Sequence, residues 1–383
     1  MNPKVNLKEI QDLELRYYAH TFKRLPVVIS QGEGMYLYDT SGKKYLDMFA
    51  GIAVNSLGHC HPKVIDTIKE QSQLLMHTSN WLYTLPQLEL AKLLTEITGL
   101  KKVFLTNDGT EAVETAIKLV RKVTGKKEII AMEGAFHGRT MGALSLTSGE
   151  KYRKPFGPLL PETRFVPFND IDALRGAIGE KTAAVIVEPI QGESGVIIPD
   201  ENYLSCVREL TLEKDVLFIL DEIQTGFGRT GRLFAFEHSK IKPDILCLAK
   251  GIGSGFPIGA TLFSCDDFEP GEHGGTFIGN PLACAVAKTV IETILKEKLV
   301  ENSEKIGGYL LNNLRERNLK VRGRGLMIGI DVENGEKTVL DLIKRNVLTI
   351  YSKNTVRVLP PLIIEKKHAD EFLKAVDSID SLQ

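Results

Sequence analysis

Five short apolar runs, set among helical stretches, limit the possible folds of this chain more than any other feature. They are Val103-Phe104-Leu105, Ile129-Ile130-Ala131, Ala183-Ala184-Val185-Ile186-Val187, Val216-Leu217-Phe218-Ile219-Leu220 and Ile245-Leu246-Cys247-Leu248. None alternates polar with apolar residues, so each needs cover on both faces. Helical patterns accompany them, among them residues 111–122 and 203–214. Such alternation builds an α/β fold, a large domain with a mainly parallel sheet covered by helices. Ligands in these sheets bind beyond the carboxyl ends of the strands. The residues that end each run are therefore the candidates for chemistry.

The remaining segments suggest how the chain is divided. Short strands around a turn at 39–42 occupy residues 33–48, and helical patterns follow at 63–75 and 85–98. Beyond Asn280 come helices at 281–295 and 301–317, then short strands near 325–332 and 355–359. A length of 383 residues accommodates two cores. The expected division is an N-terminal segment 1–50, a large domain 51–280, and a smaller α+β domain 281–383 that packs with the N-terminal segment. A formal net charge of -1 leaves no basic excess for nucleic acid. Lys366-Lys367 is too short a run for a membrane or nucleic-acid arm. Five scattered cysteines fit a reducing compartment better than a disulfide framework. No stretch is long and apolar enough to cross a bilayer, and the N-terminus is polar and charged without an apolar signal core, so a cytoplasmic enzyme is expected.

The run ends carry distinctive polar groups. The first is followed by Thr106-Asn107-Asp108-Gly109-Thr110-Glu111 and a helix, whose first N–H groups could bind a phosphate or could simply be capped. The second leads to Phe136-His137-Gly138-Arg139. An aromatic ring there could stack on a flat ligand, and an arginine could grip a carboxylate. The third ends in Glu188 and Glu193, the former the better structural candidate and the latter the better functional one. The fourth ends in Asp221, a buried carboxylate that needs a cation, either Arg229 or a protonated ligand nitrogen. The fifth ends in Lys250, opening the turn Gly251-Ile252-Gly253-Ser254-Gly255. Desolvated there, its amine could lose a proton and attack an aldehyde. Together these groups suit an aldehyde-bearing pyridine phosphate. His59-Cys60-His61 cannot easily converge on one ion, and no metal site is expected.

In its ordered blocks the chain resembles the class III (ω-type) aminotransferases of pyridoxal-phosphate fold type I. The blocks include Gly58-His59-Cys60-His61-Pro62, His77-Thr78-Ser79-Asn80, 135–140, 188–195, 221–231, Ala249-Lys250 and Gly279-Asn280-Pro281-Leu282-Ala283. The resemblance implies pyridoxal 5'-phosphate as cofactor, with Lys250 carrying it and Asp221 holding its ring nitrogen protonated. It implies Phe136 and Ile223 on the two ring faces, Gln224 at the phenolic oxygen, and Gly109 and Thr110 at the phosphate. Thr276 would join the phosphate from the partner of a homodimer. Arg139 would hold the donor's α-carboxylate, Arg357 a carboxylate of 2-oxoglutarate or glutamate, and Glu193 would mask Arg357 in the other half-reaction. Asn80 is a further substrate-side candidate.

Three residues depart from the family pattern: Asp108 for a small residue, Gly275 for Ser or Thr, and Ile278 for glycine. Gly51 stands where ornithine-specific members have a tyrosine. The space suits an acylated α-nitrogen, so N-acetylornithine is the expected donor. Carrier-linked lysine or ornithine, free ornithine and 4-aminobutyrate are the alternatives, with glutamate-semialdehyde aminomutase more distant.

Overall fold

The computed structural model describes residues 6–379; the outer ends of the first and last expected segments, 1–5 and 380–383, lie outside it. Its centre is a seven-stranded sheet in the spatial order Lys102–Thr106, Gly259–Phe263, Ile245–Leu248, Leu217–Asp221, Thr182–Val187, Glu128–Met132, Thr163–Val166. All five expected runs are strands of this sheet. Every residue of Thr182–Val187 is buried, as a run without polar alternation requires.

Two strands of this central sheet were not read from the sequence. Thr163–Val166 lies at the sheet edge, and its Thr-Arg-Phe-Val pattern is too short and too polar to stand out. Gly259–Phe263 is antiparallel to both neighbours, while the remaining neighbouring pairs are parallel. It opens on a glycine, which disguised it as part of the preceding turn. That glycine is needed for space: a Cβ there would sit 2.4 Å from the Asp108 carbonyl oxygen.

Helix ends follow their capping chemistry. Asp108 caps the helix Gly109–Thr124 by accepting from the Glu111 N–H, and Gly125 ends it in the left-handed region at φ 67. Asn280 caps Pro281–Lys296 in the same way, with proline in the first turn.

The N-terminal strands Ile29–Glu33, Tyr36–Asp39 and Lys44–Asp47 form a second sheet completed by Val347–Leu348. The last pairing is parallel and joins the start of the chain to its C-terminal part. A third sheet, ordered Val321–Arg324, Met327–Asp331, Thr355–Val358, Ile350–Ser352, carries Arg357. Among the described residues, no helix is long and apolar enough to cross a membrane.

Candidate active site

The carboxyl ends of the parallel strands and the start of Gly259–Phe263 meet at one edge of the central sheet. A cavity of about 470 Å³ opens there, lined by Asp108, Gly109, Thr110, Phe136, Arg139, Glu188, Glu193, Asp221, Ile223, Gln224 and Lys250, with Val54 and 255–258 closing one side. Asp221 ends one strand and the other ten residues named first follow five different strands, so the sheet converts sequence-distant run ends into one constellation.

Lys250 follows Ile245–Leu248 directly after Ala249, with its backbone in the left-handed region at φ 47. A non-glycine residue held there is strained, a feature that collects at functional sites. Burial pushes the Lys250 ammonium below its usual value, against the raising effect of Glu193 and Asp221. A larger fraction of neutral, nucleophilic amine results.

Asp221 ends its strand with only 4% exposure. Its Oδ1 accepts from the Ile223 N–H at 3.0 Å, and its Oδ2 lies 2.7 Å from His137 Nδ1. Arg229, the partner considered from sequence, is elsewhere: its Nη1 donates to the carbonyls of Leu326 and Pro360. Burial lowers Arg229 to about 9 despite Asp47 nearby. His137 was missed because its block drew attention to Phe136 and Arg139. Its Nε2 is buried without a partner.

Glu188 braces two loops, accepting from the Phe136 N–H at 2.9 Å and the Gly192 N–H at 3.2 Å. Burial pushes it up to about 7. Gly192 is sterically required, since a Cβ would fall 2.1 Å from Gln224 Oε1. Gly109 is equally constrained, with Ile223 Cδ1 2.8 Å from the position of a Cβ. The N–H groups of Gly109 and Thr110 lie in a first helical turn, where no intrahelical carbonyl can reach them. Asp108 spends its Oδ1 on the Glu111 N–H. Thr110 Oγ1 lies 2.9 Å from Thr140 Oγ1, tying the 136–140 loop to this helix.

Arg357 is fully buried and reaches Glu193 from the third sheet, with Nη2 donating to Oε1 at 2.8 Å. Ser352 Oγ accepts from Nη1 at 3.0 Å, and Nε has no partner. Burial pushes Glu193 up, but Arg357, with Lys250 and Gln224, outweighs it and holds the carboxylate below its ordinary value.

Two expected site residues stand apart. Asn80 and Thr276 line a different cavity together with Ile278. Asn80 donates from Nδ2 to the Ile278 carbonyl at 3.0 Å and accepts from Gln87 Nε2 at 2.6 Å. Within one chain, then, its amide anchors the 275–279 loop. The departures Gly275 and Ile278 are spatially coupled, because a Cβ on Gly275 would lie 2.9 Å from Ile278 Cγ2. His59 turns to Asp47, with Nε2 2.7 Å from Oδ2, while Cys60 is exposed.

Comparison with known proteins bears on this constellation. The family model described as aminotransferase class-III matches residues 17–379. An acetylornithine aminotransferase of Methanocaldococcus jannaschii is 48% identical over 96% of this chain and 97% of its own length. Another from Methanothermobacter thermautotrophicus is 48% identical over 98% and 99%. Among solved structures, an ornithine aminotransferase of Toxoplasma gondii with partial occupancy of PLP superposes with TM-score 0.94 at 33% identity, covering 97% of this chain and 93% of that one. An acetylornithine aminotransferase of Elizabethkingia anophelis does so with TM-score 0.89 at 36% identity, covering 97% and 98%.

These enzymes use pyridoxal phosphate, and the residues present fit it. A lysine beside a carboxylate, an unpartnered Gln224 Oε1, and two first-turn N–H groups at Gly109 and Thr110 border one cavity with Phe136 and Ile223. The match of fold, ordered sequence and cofactor-compatible cavity leads to one assignment: the chain belongs to the class-III aminotransferase family.

Proposed function

We propose that this chain transfers the terminal amino group of N-acetylornithine to 2-oxoglutarate, giving N-acetylglutamate 5-semialdehyde and glutamate, a step of arginine biosynthesis. The observation that carries the reading is the Arg357–Glu193 pair beside Lys250. An enzyme with alternating substrates needs a cationic site that appears for one and is neutralised for the other. A fully buried arginine paired to a partly exposed glutamate supplies such a site. The choice of donor is supported by the curated relatives, named acetylornithine aminotransferases at 44–48% identity.

Bound pyridoxal phosphate supplies an electron sink that makes the C–H bond next to the reacting nitrogen acidic. The chain's own groups do the rest. Lys250 would carry the cofactor and, with its amine free, would serve as the base and then the acid that moves the proton. Asp221, held by His137 and the Ile223 N–H, would keep the ring nitrogen protonated. Phe136 and Ile223 would hold the ring between them, Gln224 would meet its phenolic oxygen, and Gly109 and Thr110 would hold the phosphate. Arg139 grips the donor α-carboxylate.

Gly51 supports an acylated donor. It belongs to the run Ala50–Ala53, whose φ values of 49, 61, 69 and 60 are all left-handed. A tyrosine at 51 would have to adopt that conformation at a cost in strain, as Ala50, Ile52 and Ala53 already do.

A homodimer fits the placement of Thr276 and Asn80 outside the Lys250 cavity. Trp81 and Tyr83 are 94% and 95% exposed, with Leu82, Leu85 and Phe277 also open. A second copy covering that face would bury them and bring Thr276 toward the phosphate of its neighbour. A cytoplasmic location follows from the biosynthetic role. The test is a donor panel with 2-oxoglutarate: N-acetylornithine, ornithine, 4-aminobutyrate and carrier-linked lysine. The highest kcat/KM is expected for N-acetylornithine, and a clear preference for another amine would overturn the assignment.

A further inference from the structure

Arg139 has no hydrogen-bond or ion-pair partner among the described residues, although the proposed chemistry needs it to present a fixed fork to a carboxylate. It lies against aromatic rings instead. The guanidinium carbon lies 4.5 Å from the centroid of Tyr152 and 5.7 Å from that of Phe136. Tyr152 meets Phe136 edge-on, with centroids 6.0 Å apart and planes at 81°. An arginine side chain held by no polar partner samples many rotamers, and each carboxylate captured must order it again.

We propose that Tyr152 is the positioning residue for the carboxylate grip: its ring face orients Arg139 toward the donor's carboxylate and so sets donor affinity. This rests on the reading of Arg139 as the carboxylate contact. The ring is itself placed by a close approach. A Cβ on Gly149 would lie 2.8 Å from Tyr152 Cδ2, so the ring lies against a backbone that has no side chain. Gly149 has φ -64, an ordinary value, so it is the ring rather than the backbone conformation that requires glycine here. The Tyr152 N–H also donates to the Gly149 carbonyl at 2.9 Å, closing the turn. Lys151 Nζ stands 4.9 Å from the same ring centroid. A second cation near the ring adds positive potential where an anion is to be received.

The test is a set of steady-state measurements on the holoenzyme with N-acetylornithine at saturating 2-oxoglutarate. Tyr152→Leu should raise KM roughly three- to tenfold with kcat little changed, as expected for loss of a cation–π contact that acts on binding alone. Tyr152→Phe keeps the ring and should behave as wild type. Gly149→Ala, which the backbone tolerates, should displace the ring and reproduce part of the leucine effect. In an Arg139→Ala background, Tyr152→Leu should add nothing. Cofactor affinity and the visible band should stay unchanged in Tyr152→Leu; a loss there would show action through Phe136 and overturn the proposal. A strong KM effect of Arg139→Ala with none from Tyr152→Leu overturns the role of Tyr152 while leaving the carboxylate grip intact. Additive effects in the double variant overturn it as well. If Arg139→Ala itself changes nothing, both readings fall. Should Tyr152→Leu not fold, Tyr152→Met carries the same comparison.

Discussion

Replacing Glu193 with alanine removes the acidic partner of a fully buried arginine and leaves Arg357 Nη2 without its acceptor. Unit charges about 4 Å apart attract by about 4 kcal/mol at an effective dielectric of 20. Removing one member of a buried pair costs about 3–5 kcal/mol. The Glu193 side chain is 29% exposed, so solvent screens part of this, and about 2–3 kcal/mol is the expected loss of stability. For 383 residues, unfolding entropy of about 2.1 cal/mol/K per residue turns that into a fall of about 3 °C in Tm. The kinetic consequence is more specific. In the proposed switch, a dicarboxylate displaces Glu193 before Arg357 receives it. With alanine that displacement vanishes, and glutamate should gain over N-acetylornithine by roughly tenfold or more in relative kcat/KM, each tenfold being about 1.4 kcal/mol. Half-reactions followed by the cofactor's absorbance, one donor at a time, measure the ratio. An unchanged ratio, with Tm lowered as expected, would leave the pair purely structural and refute the switch.

The pair also has a pH signature. Glu193 is held below its ordinary value, so its stabilising contribution is complete above the unfolded value near 4.5 and is lost as pH falls through the lower folded value. Glu222 behaves oppositely. Burial raises it to about 7 although Ala235 and Phe236 N–H groups donate to its two oxygens. The unfolded chain releases this proton from about pH 4.5, so stability from this group falls as pH rises to about 7 and then levels. Glu222→Gln should be less stable than wild type, with a gap that narrows between pH 5 and pH 7.5 in urea titrations; a constant gap contradicts the assignment. For the 275–279 loop, Gly275→Ser should weaken cofactor binding about tenfold by overpacking against Ile278. Adding Ile278→Gly should recover most of that loss in the same binding titration, and simple additivity would show the two positions to be independent.

The central sheet was legible because burial on both faces leaves an unbroken apolar run, and Asp221 and Lys250 announced themselves as charges at the ends of such runs. Gly259–Phe263 was obscured by its opening glycine, a residue selected by contact with the Asp108 carbonyl rather than by strand propensity. The partner of Asp221 could not be read either. Arg229 is close in sequence, but the sheet turns it toward Pro360, and His137 arrives from another strand. The resemblance offered Asn80 as a substrate-side group, whereas its amide bonds locally to Gln87 and to the Ile278 carbonyl of a loop 198 residues away. Tyr152 gave no signal because its role depends on a ring face meeting Arg139, which periodicity does not reveal.

The account rests on Lys250 as the residue that carries the cofactor. Borohydride reduction of the yellow holoenzyme, followed by digestion and mass mapping, reads this directly. A pyridoxyl mass on the peptide containing Lys250, with bleaching of the visible band, is the predicted result. The same mass on another lysine, or none on any, would contradict it.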